Sequence, residues 1–286
     1  MNIKNCLIAG NAGSGIAAGP VCKKICIENS TIADNFAAPG YKYSNTVKTK
    51  GRGITWQCSE PDAKLSLQNS VISNLAGPNY EILVSGSGLD NVSMEIGYSN
   101  IEGGLAAVSA PNDVNIAWGQ GNIDGDPCFT ERGILHDNNT PASYWDDYWV
   151  GGDYHLLPDS PCINAGDPNY IAEACDTDLG GNPRVRNNRI DMGAFEAPGP
   201  VDLLIELGEV IEAMPIDKGA CVSLHAKIND ALKKFKDDNK NNDTAAVNSL
   251  QAFIKSVNAL CCKRISQEDA DYLVITSQQI IKIIER

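Results

Sequence analysis

Apolar residues recur through the first hundred positions in short alternating runs. Ile3-Lys4-Asn5-Cys6-Leu7-Ile8-Ala9-Gly10-Asn11 is followed by Ile27-Glu28-Asn29-Ser30-Thr31-Ile32-Ala33-Asp34-Asn35 and by Leu67-Gln68-Asn69-Ser70-Val71-Ile72-Ser73-Asn74. A weaker fourth copy runs Ile96-Gly97-Tyr98-Ser99-Asn100-Ile101-Glu102-Gly103. Each copy reads apolar, polar, Asn, small, β-formers and then a turn, with the period of two that a half-buried strand requires. The copies are unevenly spaced, which a solenoid tolerates because each rung touches only its neighbours. The recurring Asn is expected to hold a left-handed turn and to bond the Asn of the next rung, a ladder that sets register. Residues 1–105 therefore predict an all-β parallel solenoid.

From about residue 106 to 197 the rung pattern is lost and turn residues dominate, as expected of an irregular C-terminal cap on the solenoid. Ala197-Pro198-Gly199-Pro200 then marks a linker over 198–202, and the period changes. Leu203, Leu204, Leu207, Val210 and Ile211 fall at helical spacing, as do Val222, Leu224, Ile228 and Leu232. So do Val247, Leu250, Phe253, Ile254 and Val257, and Ala270, Leu273, Val274 and Ile280. Four amphipathic helices over 203–286 follow, with a start signal at Ser266-Gln-Glu-Asp269 and a polar loop at 236–242.

Two stretches resemble known families. Trp118-Gly-Gln-Gly121-Asn122-Ile123-Asp124-Gly-Asp126-Pro127, Gly152-Asp153-Tyr154-His155-Leu156-Leu157-Pro158, Ser160-Pro161-Cys162-Ile163-Asn164-Ala165-Gly166-Asp167-Pro168, Asp178-Leu-Gly-Gly181-Asn182-Pro183-Arg184 and Ile190-Asp191-Met192-Gly193-Ala194-Phe195-Glu196 look like the C-terminal region of surface β-helix proteins of the choice-of-anchor Q type. That resemblance spans residues 1–197 and implies a right-handed parallel β-helix of the pectin-lyase-like class, specific for architecture and not for activity. Lys218-Gly219-Ala220, Ser223-Leu224-His225-Ala226-Lys227-Ile228, Ala252-Phe253-Ile254-Lys255-Ser256-Val257-Asn258-Ala259 and Ile265-Ser266 resemble the FIMAH-type helical domain appended to secreted bacterial proteins. Both resemblances imply an extracellular or cell-surface location. Met1-Asn-Ile-Lys-Asn-Cys does not read as a signal peptide, because no apolar stretch follows it. Ile3 already reads as a strand residue, so the expectation is a chain that starts inside a rung of a longer parent, its uncapped rung open to self-association.

Charge narrows the partners. The net charge is −13, and residues 1–200 hold 12 Lys and Arg against 23 Asp and Glu, so −11 of it lies there. Such an acidic surface repels nucleic acid and anionic lipid, and no apolar run is long enough to insert into a membrane. The surface location that the resemblances imply makes an extracellular polysaccharide or cell-wall component the expected partner class. The ten cysteines show no paired zinc spacing. Small buried residues in a narrow interior, disulfides such as Cys162 with Cys175, and metal ligation are the three readings open to them.

No catalytic set emerges. Hydrolases of the β-helix class carry Asn-Thr-Asp, Asp-Asp, His-Gly and Arg-x-Lys in successive rungs. Here Asp146-Asp147 is the only adjacent acid pair in residues 1–200, no His precedes Gly, and Arg-x-Lys is absent. Tyr144, Trp145, Asp146, Asp147, Tyr148 and Trp149 form the densest aromatic and acidic cluster, with rings to stack on a sugar and carboxylates for its hydroxyls. The same rings could cover the end of the solenoid instead. Lys48, Arg52 and Trp56 could touch an anionic glycan, or belong to a solvated loop. Asp176, Asp178 and Asn182 place oxygens at alternate positions, as calcium loops do, although Asn187 at the twelfth position excludes an EF-hand; turn formation is the alternative. The reading is a non-catalytic scaffold that contacts a glycan, with a helical attachment module. The rival is a polysaccharide lyase or glycoside hydrolase whose catalytic rungs lie upstream.

Overall fold

The computed structural model of the chain describes residues 1–36, 51–74, 80–136, 146, 148–186, 189–235 and 240–285. They divide into two compact units, Met1–Ala197 and Pro198–Arg286.

In the first unit the chain visits three parallel sheets in turn. The first sheet takes β1 (Asn2–Lys4), β4 (Lys24–Glu28), β7 (Lys64–Gln68), β10 (Ser93–Gly97) and β13 (Asn115–Trp118), hydrogen-bonded in that order. The second takes β2 (Leu7–Ala9), β5 (Thr31–Ala33), β8 (Val71–Ser73) and β11 (Asn100–Ile101), and the third β3 (Ile16–Ala18), β6 (Gly51–Cys58), β9 (Tyr80–Gly86) and β12 (Val108–Ser109). Register follows the repeat. Ile3, Ile27, Leu67, Ile96 and Trp118 are aligned across the first sheet and face the core, while Lys4, Glu28, Gln68 and Gly97 form the neighbouring outward row. These stacked, in-register sheets are compatible with a β-helix. The three-sheet pattern continues past residue 105 through β12 and β13, although the sequence repeat is no longer visible there.

Three ladders hold the rungs together. Asn5, Asn29 and Asn69 all adopt left-handed backbone, at φ 53°, 50° and 49°, and Asn69 Nδ2 donates to Asn29 Oδ1 at 3.2 Å. The expected ladder thus joins two of the three copies, while Asn5 Nδ2 donates instead to the Thr177 carbonyl at 2.9 Å. The next residue builds a second ladder. Ser99 Oγ accepts from Ser70 N–H, Ser70 Oγ from Ser30 N–H and Ser30 Oγ from Cys6 N–H, at 3.1–3.2 Å. The third follows the second sheet. Asn35 Oδ1 accepts from Asn11 N–H, Asn74 Oδ1 from Asn35 N–H, and Glu81 Oε1 from Asn74 N–H. Buried amides and hydroxyls are satisfied along the stack, which is the condition for their presence in a core.

Residues 126–197 lie along the flank of the second sheet rather than across one end. Here β14 (Phe129–Glu131) pairs antiparallel with β17 (Asp153–Leu156), and β15 (Ile134–His136) with β16 (Tyr148–Val150). Their contacts touch all four copies of the repeat. Lys4 meets Asp176, Thr31 Oγ1 accepts from Ala194 N–H, the Asn69 carbonyl accepts from Gly193 N–H, and Asn100 Nδ2 donates to Cys162 Sγ. Gly193, at φ 112°, lies against Thr31 and Val71, where a side chain would collide. An apolar cluster of Ala33, Val71, Phe129, Tyr154, Leu156, Cys162 and Met192 fills the space beneath. The expectation of an end cap is corrected accordingly: outward apolar and polar residues of the second sheet recruit this segment.

The second unit holds α1 (Pro200–Ala213), α2 (Lys218–Phe235), α3 (Lys240–Leu260) and α4 (Gln267–Ile284). Leu204, Leu207, Ile211, Leu224, Ile228, Leu250, Phe253, Val257, Leu273 and Ile280 form its core. Ser266 caps α4, its Oγ accepting from Asp269 N–H at 3.0 Å. α1 begins inside the stretch expected as linker, because Pro200 suits a first helical turn and Asp202 Oδ2 accepts from Gly199 N–H. α3 likewise begins at Lys240, within the expected loop. Val222, placed on the apolar stripe, is 59% exposed; Ala220 is buried on that helix instead. Among the described residues no helix is long and apolar enough to cross a membrane.

Candidate functional site

A groove of about 520 Å³ lies on the outer face of the first sheet. The sheet's outward rows explain its shape. Where the second and third copies carry Glu28 and Gln68, β10 carries Gly97, and Gly119 follows the end of β13 with Ala117 nearby, so the floor drops. Glu28, Gln68, Glu95 and Gln120 offer hydrogen-bonding groups, and Tyr98 and Tyr170 offer rings.

Tyr98 stands where three copies have Asn, and it keeps their left-handed backbone at φ 46°. Asn tolerates that region, whereas a bulky residue there is a conformational outlier, of the kind that clusters at ligand-binding positions. Gly121 makes room for the ring, since a Cβ there would collide with it.

The opposite wall is tied to the Asn turns. Asp167 N–H donates to Asn69 Oδ1 at 2.7 Å, Asn29 Nδ2 donates to Tyr170 Oη at 3.2 Å, and Tyr170 Oη–H donates to Asp176, which also pairs with Lys4 Nζ at 3.3 Å. Burial, then the bond to Asp176, raises the Tyr170 phenol above its ordinary range. Burial would raise Asp176 as well, but its bonds from Tyr170 and Lys4 outweigh this and hold it below the usual carboxylate range. The wall carries a charged carboxylate and a neutral phenol at neutral pH.

The residues singled out in the sequence mostly lie elsewhere. Trp56 is fully buried in the core between the parallel sheets, its Nε1 donating to the Cys22 carbonyl at 3.2 Å, so it has no face to offer a ligand. Trp149 stacks on Phe36, with centroids 5.9 Å apart, and its indole fills the space left by Gly10 and Gly133. It secures the hairpin to the first rung. Tyr148, 53% exposed, stacks on His136, and Asp146 lies in an exposed bend. Tyr144, Trp145, Asp147 and Lys48 lie outside the described residues, as does the Arg52 side chain.

The residues expected at a calcium turn are bonded to protein groups. Asp178 accepts from Asn182 N–H at 2.7 Å, Asn182 Nδ2 at 3.2 Å and Glu196 N–H at 2.8 Å, so its oxygens serve the turn. Asp176 is turned away to Tyr170 and Lys4. Among the described residues no group of three or more His, Cys, Asp or Glu is arranged to hold a metal ion. Asp178 belongs to a buried cluster in which Arg184 donates to the Gly193 and Ala194 carbonyls and pairs with Glu196 at 3.4 Å. Burial raises Asp191, and burial together with the Asp191 charge raises Glu196. The ten cysteines are all free thiols, Cys162 buried and Cys175 exposed, so the proposed pairing of these two is not formed. Burial pushes the Cys162 thiol up to about 12.

Glu28, Gln68, Glu95, Tyr98, Gln120 and Tyr170 were not singled out by sequence reasoning. One signal was available: Tyr98 breaks the Asn of the repeat at its conserved-register position. No protein-family model, curated protein or solved structure matches this chain, so its functional reading rests on the residues and geometry above.

Proposed function

We propose that residues 1–197 form a right-handed parallel β-helix that serves as a non-catalytic extracellular scaffold and holds a glycan in the groove of its first sheet. Residues 198–286 act as an attachment module. The handedness follows the near-universal rule for parallel crossover connections. Likeness to the choice-of-anchor Q and FIMAH types supports the surface location. The observation that carries the glycan reading is Tyr98, kept in an unfavourable backbone conformation on a groove lined by acids, amides and a second tyrosine.

Glu28 and Asp167 give the groove a negative lining, Glu95 is paired with Lys64 at 2.6 Å, and the nearby Lys4 is paired with Asp176. Uronate polymers are disfavoured there, and neutral or amino sugars fit. Isothermal titration of the full chain with neutral and amino-sugar oligosaccharides should show binding that Tyr98→Asn abolishes. Binding restricted to polygalacturonate, or unaffected by Tyr98→Asn, would refute the assignment. Release of reducing ends that both Glu28→Gln and Glu95→Gln abolish would overturn the non-catalytic part.

A further inference from the structure

We propose that Cys261 and Cys262 form a vicinal dithiol modification site, which low-molecular-weight disulfides oxidise to a bridge within the turn between α3 and α4. The two Sγ atoms stand 3.3 Å apart, and Gln267 Oε1 accepts from both thiols, at 3.2 and 3.4 Å. One amide oxygen thus holds both sulfurs toward the same point.

The backbone keeps them there. Cys261 N–H donates to the Val257 carbonyl at 2.9 Å, Cys262 N–H to the Ile265 carbonyl at 2.8 Å, and Ile265 N–H returns to Leu260 at 3.2 Å. Cys262 adopts φ 59°, just past the end of the helix, where glycine or asparagine is the inexpensive choice. A β-carbon at such a position is a conformational cost borne for its thiol. Cys262 is exposed and Cys261 half-buried, so a small disulfide can reach the first of them.

The step balances. The Cys262 thiolate attacks one sulfur of the disulfide, forming a mixed disulfide and releasing one thiolate, which takes up a proton. Cys261 then loses its proton and attacks Cys262 Sγ, displacing the second thiolate. Two protein thiols are oxidised and one disulfide is reduced to two thiols. The order of attack follows from the hydrogen bond to Cys262, which holds the Cys261 thiol above its ordinary value.

The test is exposure of the native full chain to oxidised glutathione, then unfolding, alkylation and trypsin digestion. Peptide 256–263 carries both of these cysteines and no other. It should appear unalkylated and lighter by two hydrogen atoms. Cys261→Ser should trap a glutathione adduct on Cys262. Cys262→Gly, which relieves the left-handed backbone and so retains the fold, should leave Cys261 alkylated and free of glutathione. Full alkylation of the wild-type peptide, a lasting glutathione adduct on it, or no adduct in Cys261→Ser would each overturn the proposal.

Discussion

Replacing Asn35 by alanine removes the central member of the ladder beside the second sheet. Asn35 is fully buried. Its Oδ1 accepts from Asn11 N–H at 3.0 Å and Asn11 Nδ2 at 2.8 Å, and its Nδ2 donates to the Ile8 carbonyl at 3.0 Å and Asn74 Oδ1 at 2.9 Å. At about 1 kcal/mol net for each bond, the side chain contributes ~4 kcal/mol. Asn11 is exposed and recovers part of this from water, whereas Asn74 is buried and does not, which leaves a loss of about 3 kcal/mol. Asn11→Ala, at the exposed end of the same ladder, should cost about 1 kcal/mol or less. The assay is urea unfolding followed by tryptophan fluorescence. All four tryptophans, 56, 118, 145 and 149, belong to the first unit, so the signal reports on that unit. With a denaturant slope of about 3 kcal/mol/M, the midpoint should fall by roughly 1 M for Asn35→Ala. Equal losses for Asn35→Ala and Asn11→Ala would refute the argument that burial, not bond count alone, sets the value of each ladder member.

Stability of the first unit should fall with rising pH across the neutral range. Asp191 and Glu196 have folded pKa values pushed up to about 6 and about 9, so the folded chain keeps protons that the unfolded chain has released. Their contribution is complete below the ordinary carboxylate range and is lost as pH rises toward about 9; urea midpoints at a series of pH values should trace this, and Glu196→Gln should flatten the upper part. Arg132→Met should cost about 3 kcal/mol by the same unfolding assay, because Asp34 is fully buried and its partner guanidinium at 2.6 Å is removed, while among the described residues Gly133 N–H and Tyr154 Oη–H remain. Phe253→Ala should destabilise the second unit by about 3–5 kcal/mol, read as loss of helical circular dichroism, while the tryptophan midpoint stays in place.

Much of the architecture is legible in the sequence, because it depends on local pattern. The alternation around Ile27, Leu67 and Ile96 specifies strands with one buried face, and the repeated Asn marks the turn after the first two, with Tyr98 in its place after the third. The helical spacing of Leu204, Leu207 and Ile211, or of Leu250, Phe253 and Val257, specifies the second unit in the same way. The start of α4 at Ser266 is equally local, since its hydroxyl bonds a backbone group three residues on.

The candidate site was not legible, because it is assembled across rungs. Trp56 looked like a sugar-binding ring in sequence, and only the stacking of β3, β6 and β9 turned it into the core. Asp176, Asp178 and Asn182 have calcium-like spacing, but in the fold Asp176 bonds Lys4 and Tyr170, Asp178 accepts from Glu196 N–H, and Asn182 Oδ1 accepts from Arg186. Glu28, Gln68, Tyr98 and Gln120 share a groove because parallel register aligns Glu28 and Gln68 with Gly97 and sets Tyr98 and Gln120 beside that row. Tyr170 joins them because the returning segment is bonded to Asn29. Periodicity thus determined which residues face inward, whereas register between rungs and the path of the flanking segment decided which outward residues meet. Those choices depend on hydrogen bonds between groups many residues apart, and no local pattern encodes them.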